Sequence, residues 1–425
     1  MDYYPRVTDV LLQRKLEAFG ATLIVGPKGC GKTTTGKRFA KSYIEFQDED
    51  QRENYLAVAE NMPSRLLIGD KPRLFDEWQD APKIWGAIRK DVDDSGAKGQ
   101  YILTGSSSRQ VATPHTGTLR ISTMQMYPMS LFESQESTGT VSLRALFQEQ
   151  SLPWIEADLS FDELLFAICR GGWPQCLTIE RQAVQLDVVR DLFYQTCHVD
   201  ISQIHGVQRN PKWAEKILKS YARNLCTLAT SKTLYGDIQA TTDLSRQSFI
   251  DYIQDLEDLF IIEELEAWCP AIRSKGAIRA SNKRNLIDPS LAVAALGLEP
   301  DYFNTDFKTL GFLFESLCIR DLKIYSAALG GKMSYYRDRY GLEADGVLHL
   351  ANGQYALIEF KLGQAELDEG ARHLCEIERL IQVNNEDKTK TPIRLPDLKL
   401  LITGTPYGYQ RKDGVFVVPI ACLRD

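Results

Sequence analysis

The chain has 425 residues, 44% of them hydrophobic and 25% charged, with a net charge of −7. This composition fits a globular protein of roughly two to four domains with large cores, and it excludes a disordered or collagen-like chain. No apolar run reaches the ~18 residues of a bilayer span, the first residues lack an apolar leader, and the negative balance argues against a broad nucleic-acid surface while leaving room for a local basic groove.

Nine cysteines are scattered without a CxxC pair, the usage of reduced thiols in a cytoplasmic, membrane-free protein. The histidines at 115, 198, 205, 349 and 373 form no ligand spacing with them, so no structural zinc is expected.

Residues 1–155 read as an α/β nucleotide-binding domain. Ala21 to Val25 is an apolar β-type run, and Thr34 to Tyr43 reads as a helix. Between them, Gly26-Pro27-Lys28-Gly29-Cys30-Gly31-Lys32-Thr33 matches G-x-x-x-x-G-K-[ST] at every fixed position. Strand, glycine-rich loop and helix come in the order a phosphate cradle needs. The glycines let backbone N–H groups curl around the phosphates, and the helix N-terminus adds its positive dipole. Gly26 to Thr34 are therefore the expected contacts to ATP. Lys32 is expected to reach the β- and γ-phosphates, and the Thr33 hydroxyl to join the shell of Mg²⁺.

Further strands are expected at Tyr43–Phe46, at Leu74–Glu77, at Gln100–Gly105 and over 118–126, giving a parallel sheet with helices on both faces. Ligands in such sheets sit at the carboxyl ends of strands. Asp76 is expected to hold Mg²⁺ there, and Glu77 to orient and deprotonate the attacking water. Thr104 and Ser106 are placed to sense the γ-phosphate. A cation for the developing phosphoryl charge is sought among Arg109, Arg120 and Arg170, the alternative being an arginine from another subunit of an oligomer.

Residues 156–235 show helical spacing over Phe161–Cys169 and Ala183–Cys197, broken at Gly171-Gly172-Trp173-Pro174, and read as a helical lid or adaptor. Residues 236–300 resemble a winged helix, with one helix starting at Tyr235 and another capped by Ser245. The second helix carries Asp251, Asp255, Glu257 and Asp258 on its polar face, and only Arg246 is basic. Such a face repels phosphates, which favours a structural module over a DNA-reading one. Leu286 to Leu291 reads as a strand ending in a turn.

Residues 301–425 hold a second constellation. Short strands are expected at Tyr335–Asp338, from Glu343 onward and at Tyr355–Lys361, with Asn352-Gly353 as a hairpin signal. Period-two geometry puts Glu359 and Lys361 on one strand face, with Asp345 on the neighbouring strand. Glu315, in a helix over 312–325, supplies a fourth group. Asp345, Glu359 and Glu315 are hard oxygen ligands for Mg²⁺, and Lys361 would stabilise charge on a scissile phosphate. A buried ion-pair cluster is the competing reading of the same residues.

Several motifs together resemble a family of bacterial and archaeal AAA-type ATPases: Gly26-Pro27-Lys28, Phe75-Asp76-Glu77-Trp78-Gln79, Ile102-Leu103-Thr104-Gly105-Ser106-Ser107 and Pro128-Met129-Ser130-Leu131-Phe132-Glu133. Proteins of that family carry a C-terminal domain of unknown function similar to the PD-(D/E)xK restriction-endonuclease-like fold. Ile287-Asp288-Pro289-Ser290-Leu291, Glu343-Ala344-Asp345 and Ile358-Glu359-Phe360-Lys361 resemble its signatures. Two positions depart from the family pattern: Leu119-Arg120 stands where the family has Gly-Arg, and Ala344, not proline, precedes Asp345.

The resemblance covers essentially the whole chain. It implies a P-loop AAA-type ATPase domain over 1–155, a helical part over 156–235, a winged-helix-like module over 236–300 and a nuclease-like α/β domain over 301–425. The expected function is Mg²⁺-dependent ATP hydrolysis coupled to DNA binding or cleavage, in a defence setting. The alternative is an ATP-driven switch whose C-terminal domain binds a partner and does not cleave.

Overall fold

A computed structural model describes residues 3–106, 117–204, 206–270, 280–387, 389 and 391–425. The chain divides into two compact units. The first comprises Met1–Pro128, Asp200–Gln208 and Gln254–Ile261, and the second takes the remainder.

The first unit is built on five parallel strands: β1 (Ala21–Val25), β2 (Ser42–Glu45), β3 (Arg73–Asp76), β4 (Tyr101–Gly105) and β5 (Ile121–Gln125), in the order β2-β3-β4-β1-β5. Helices α1 (Asp9–Ala18), α2 (Lys32–Phe39), α3 (Arg52–Asn61) and α4 (Lys83–Ser95) accompany them. Alternate residues of each strand feed opposite cores. Leu23, Val25, Phe75, Tyr101 and Leu103 pack with Ile84, Ile88 and Val92 of α4. Ile24, Leu74, Ile102 and Met124 pack with Leu12 of α1 and Phe39 of α2. The central strands β1 and β4, buried along their whole length, read as near-continuous apolar runs, as strands covered on both faces do, whereas β2 and β5 each have an exposed position. Each fully buried side chain of this kind contributes about 1.5–3 kcal/mol.

Helix α2 ends at Phe39, short of the expected Tyr43, because Ser42 already pairs with Arg73 in the sheet. It packs close to β3 because residue 36 is glycine: a Cβ there would stand 2.9 Å from Leu74 Cδ1.

In the second unit the segment 129–155, expected within the N-terminal domain, pairs with distant strands. β6 (Val141–Ser142) lies parallel to the final strand, Leu423–Arg424, and β7 (Ile155–Glu156) is antiparallel to the strand Tyr407–Gln410. Helices α5 (Leu143–Glu149), α6 (Phe161–Arg170) and α7 (Gln182–Gln195) follow. The short α8 (Ile201–Gln203) falls in the first unit. After it come α9 (Pro211–Arg223), α10 (Ser231–Gln239) and α11 (Arg246–Asp258).

Helix α10 begins four residues before the expected Tyr235, because the Thr230 side chain caps it by accepting from the Thr233 N–H. Ser245 caps α11 as expected, through the Ser248 N–H at 3.1 Å. The acidic face of α11 is not uniformly solvated, since Asp255 is buried.

The expected strand at Leu286–Leu291 is also different. Leu286 makes one bridge to Ile262, and Asp288 then caps α12 (Pro289–Leu296), with Pro289 in the first turn where its missing N–H costs nothing. The buried Asp288 carboxylate accepts from Gly172 N at 3.0 Å and from Arg320 Nη1 at 2.8 Å. The Gly171-Gly172 turn and the Asp-Pro signature are thus parts of one structural hub.

The rest of the unit is α13 (Phe307–Ala328), β8 (Gly331–Arg337), β9 (Glu343–Leu350), β10 (Tyr355–Lys361), α14 (Leu367–Glu386), β11 (Leu398–Thr403), β12 (Tyr407–Gln410), β13 (Phe416–Pro419) and β14 (Leu423–Arg424). A seven-stranded mixed sheet runs β7-β12-β13-β11-β10-β9-β8. Helix α14 covers it through Leu367, Ala371, Leu374, Ile377 and Ile381 against Val347, Leu357, Leu401 and Val417. The hairpin turn at Asn352-Gly353 forms as expected, with Gly353 at φ 85°.

One irregularity matters for the site. Ser334 is opposite Val347 and Tyr336 is opposite Ala344, so Tyr335 alone faces Asp345 and Gly346. The extra residue is a β-bulge in β9, and bulges re-aim side chains.

Candidate functional sites

The loop after β1 has left-handed or otherwise glycine-favouring backbone at Gly29 and Gly31, with φ of 78° and 102°. Gly26 is fixed by a close approach: a Cβ there would lie 2.2 Å from the Met126 carbonyl oxygen. Lys32 is buried, and its ammonium donates to the Gly26 and Pro27 carbonyls at 2.9 and 2.8 Å. It therefore lies along the inside of the loop. Lys28 is half-exposed and pairs with Asp200 at 2.6 Å. Cys30 is buried, whereas Gly29 and Thr34 are exposed.

Parallel pairing brings the acidic strand end beside this loop. The Thr33 hydroxyl donates to Asp76 Oδ1 at 2.8 Å. The two groups expected to share Mg²⁺ are thus adjacent, one on the loop helix and one on β3, and the donor set of hydroxyl and carboxylate oxygen fits that ion. Thr104, on β4 between β1 and β3, is fully buried. Its hydroxyl donates to Asp76 and accepts from the Glu77 N–H at 3.3 Å. Thr104 therefore braces the acidic pair.

Glu77 sits in left-handed backbone at φ 52°. Its carboxylate accepts from the Ser106 hydroxyl at 3.2 Å and from the Gln79 side-chain amide. Ser106 is thus a holder of Glu77, and Gln79 is a second holder that the sequence reading did not single out. The phrase Asp-Glu-x-Gln carried the signal.

The arginines sort differently. Arg109 lies outside the described residues. Arg120 pairs with Asp93 at 2.6 Å on the surface. Arg170 belongs to the second unit, where it is buried against Glu136 at 2.5 Å. Arg120 and Arg170 are engaged in ion pairs of their own.

The second cluster centres on a residue the sequence reading missed. Lys283 is 3% exposed, and its Nζ lies 2.5 Å from Glu343, 3.0 Å from Glu315 and 3.4 Å from Asp345. Burial pulls its pKa down, but the three carboxylates outweigh that and hold it well above the usual lysine value. Lys283 arrives on a short bridge to Leu265, Glu315 on α13, and Glu343 and Asp345 on β9. The bulge aims Asp345, whose other oxygen accepts the Phe360 N–H at 3.2 Å.

Glu359 and Lys361 share a face of β10, as expected, and pair at 2.9 Å. His373 of α14 lies 3.7 Å from Glu359. Burial, opposed in part by Lys283, pushes Glu315 up to about 8. Burial and the Asp345 charge push Glu359 up to about 8.

A cavity of about 560 Å³ adjoins the cluster, lined by Glu315, Asp345, Lys361, Phe307, Phe312 and Phe360 among others. The expected Mg²⁺ ligands therefore already hold ammonium groups: Glu315 and Asp345 hold Lys283, and Glu359 holds Lys361. Among the described residues no group of three or more His, Cys, Asp or Glu is placed to hold a metal ion. The residues in this arrangement do not fit a divalent cation.

Comparisons with known proteins bear on these sites. Two domains of unknown function match in the second half of the chain and before it, DUF8612 over residues 161–302 and DUF4143 over 310–423. No curated protein matches the chain. Among solved structures, the chain is similar to a Walker-type ATPase of Pyrococcus abyssi at 14% identity and a TM-score of 0.41, over 69% of this chain and 96% of that one. It is similar to a DNA replication initiation factor at 13% identity and a TM-score of 0.25, over 59% of this chain and 86% of that one. It is also similar to a signal-transduction ATPase with a tetratricopeptide repeat sensor from Pyrococcus horikoshii, at 13% identity and a TM-score of 0.25, over 76% of this chain and 49% of that one. Residues 18–135, which hold the phosphate loop and the Asp76-Glu77 strand end, match the model of an AAA domain. The match supports an AAA-type ATPase in the N-terminal part of the chain.

Proposed function

We propose that the chain is a Mg²⁺-dependent ATPase whose second unit is an ATP-driven binding module and not a metal-dependent nuclease. The hydrolytic half rests on the contact between Thr33 and Asp76 at 2.8 Å, with Glu77 held beside it by Ser106 and Gln79. In this reading the loop N–H groups and Lys32 bind the β- and γ-phosphates. Thr33 and Asp76 would hold Mg²⁺, which when bound screens phosphate charge. Glu77 aligns a water on the γ-phosphorus and takes up its proton.

Glu77→Gln tests the assignment. The carboxamide keeps the shape but loses the base, so nucleotide affinity should stay near wild type while kcat falls roughly 100-fold or more. Normal turnover in this variant would remove Glu77 from the role of base.

The binding-module half rests on one observation, the Lys283 ammonium seated among Glu315, Glu343 and Asp345. A second reading, ATP-gated DNA binding or cleavage in defence, draws on the cavity beside Asp345 and Lys361.

The two readings part on Asp345→Asn and Lys361→Ala. If the cluster is structural, both variants melt below wild type, and wild-type protein leaves plasmid and linear DNA intact with Mg²⁺ or Mn²⁺, with or without ATP. Cleavage by wild type that both variants lose, at unchanged melting temperature, would establish the nuclease and overturn the binding-module reading.

A further inference from the structure

The phosphate loop is held from outside by a residue far from any motif. Arg6 is 6% exposed, within the segment that precedes α1. One end of its guanidinium, Nη1, donates to the Cys30 carbonyl at 2.8 Å. The other end, Nη2, donates to the Tyr127 carbonyl at 2.8 Å, just past β5. The segment is itself anchored. Asp9 accepts from the Arg6 N–H at 3.0 Å and from the Tyr3 hydroxyl at 2.6 Å, and that hydroxyl also lies 3.2 Å from Thr35 Oγ1 on α2. The fork therefore ties the loop to the residues after β5, the same place where Gly26 approaches the Met126 carbonyl.

The consequence follows from peptide geometry. In a planar trans peptide the C=O and the following N–H point in opposite directions. Turning the Cys30 carbonyl onto Arg6 turns the Gly31 N–H the other way, away from Arg6. Gly31 is the left-handed residue that precedes Lys32 at the start of α2, where a phosphate cradle needs inward N–H groups. A free loop could flip this peptide and present a carbonyl to the phosphate. A charge-assisted bond from a planar guanidinium resists that flip, and two parallel anchors fix the loop's position as well as its orientation.

We infer that Arg6 is a positioning residue for nucleotide binding: it sets the Cys30–Gly31 peptide so that the Gly31 N–H is available to a nucleotide phosphate. The inference rests on the ATPase reading above and touches neither phosphate nor metal directly. It separates Arg6 from a merely structural arginine, whose loss would lower stability without a selective effect on nucleotide affinity.

The experiment uses the full chain in three forms, wild type, Arg6→Ala and Arg6→Lys. Binding of fluorescent ADP and ATP analogues, steady-state ATP hydrolysis and melting temperature are measured for each. Arg6→Ala should weaken both nucleotides at least tenfold and raise KM for ATP by the same factor, with kcat reduced less than threefold at saturation. Arg6→Lys offers one compact donor in place of the fork and should fall between the two. Added guanidinium at millimolar, sub-denaturing concentration should restore affinity to Arg6→Ala and leave wild type unchanged.

If wild type binds no nucleotide, the ATPase reading fails first. If wild type binds and both variants match it, or if their melting temperatures fall while affinity and KM hold, the inference about Arg6 is overturned. Should Arg6→Ala not fold, the KM of Arg6→Lys decides alone.

Discussion

Lys32→Ala is expected to remove ATP turnover and to lower nucleotide affinity by roughly two to four orders of magnitude, counting about 1.5–3 kcal/mol for each of two lost charge-assisted contacts. The side chain is buried along the inside of the loop, and its ammonium rests on the Gly26 and Pro27 carbonyls. Those carbonyls are weak partners for a full positive charge, so the ammonium is available for a phosphate. Alanine leaves the loop glycines and the Arg6 anchor in place, so the loop should keep its course. The clean readout is ligand-induced stabilisation. A ligand at 100 times its Kd raises stability by about 2.7 kcal/mol. Wild type should therefore melt higher with ATP and Mg²⁺ present, and Lys32→Ala should not. An ATP-dependent rise of equal size in both proteins would place the nucleotide elsewhere.

The second large effect concerns stability. Lys283→Met is expected to destabilise the second unit by about 3–5 kcal/mol, because it leaves buried carboxylates without their counter-charge. Methionine is close to lysine in length, so packing is largely kept and the loss reports the charge. The melting temperature should fall on the order of 10 °C. Combining Lys283→Met with Glu343→Gln should recover part of the loss, since one uncompensated charge is then gone. Glu343 is the partner at 2.5 Å, which makes it the informative choice. A single variant as stable as wild type would mean that the carboxylates carry protons or another cation without help from Lys283.

The two sites differ in how much of them the sequence makes legible, and the reason is physical. The phosphate loop is local chemistry: eight consecutive residues contain every group the cradle needs, and the strand before them is apolar because both of its faces are covered. Asp76 and Glu77 are readable because an apolar strand must end where two charges begin. Thr104 is readable as a site residue, but its contact to Asp76 is not. Its hydroxyl looks free in sequence and is taken up by Asp76 only because β4 lies between β1 and β3.

In the second unit Glu359 and Lys361 are readable from period-two geometry alone. Lys283 is not. It lies 32 residues before Glu315 and 62 before Asp345, on a short bridge with no periodic signal. Arg6 is similar, 121 residues from Tyr127. Long-range ion pairs and anchors of this kind arise from tertiary approach, and composition offers no trace of it.

The way each unit is assembled from separated stretches has a consequence for synthesis. The first unit draws on residues 200–208 and 254–261, and Phe260 is buried in its core. The second closes a two-stranded ladder between Val141–Ser142 and Leu423–Arg424. Ribosomes add about 5–20 residues per second, and most domains fold as they emerge. Here the sheet that carries the phosphate loop must wait for roughly ten seconds after β5 is made before Phe260 can complete its core. Residues 137–142 wait longer still, for their partner strand at Leu423–Arg424. A nascent chain stalled between those points would expose unsatisfied apolar and strand-edge surface.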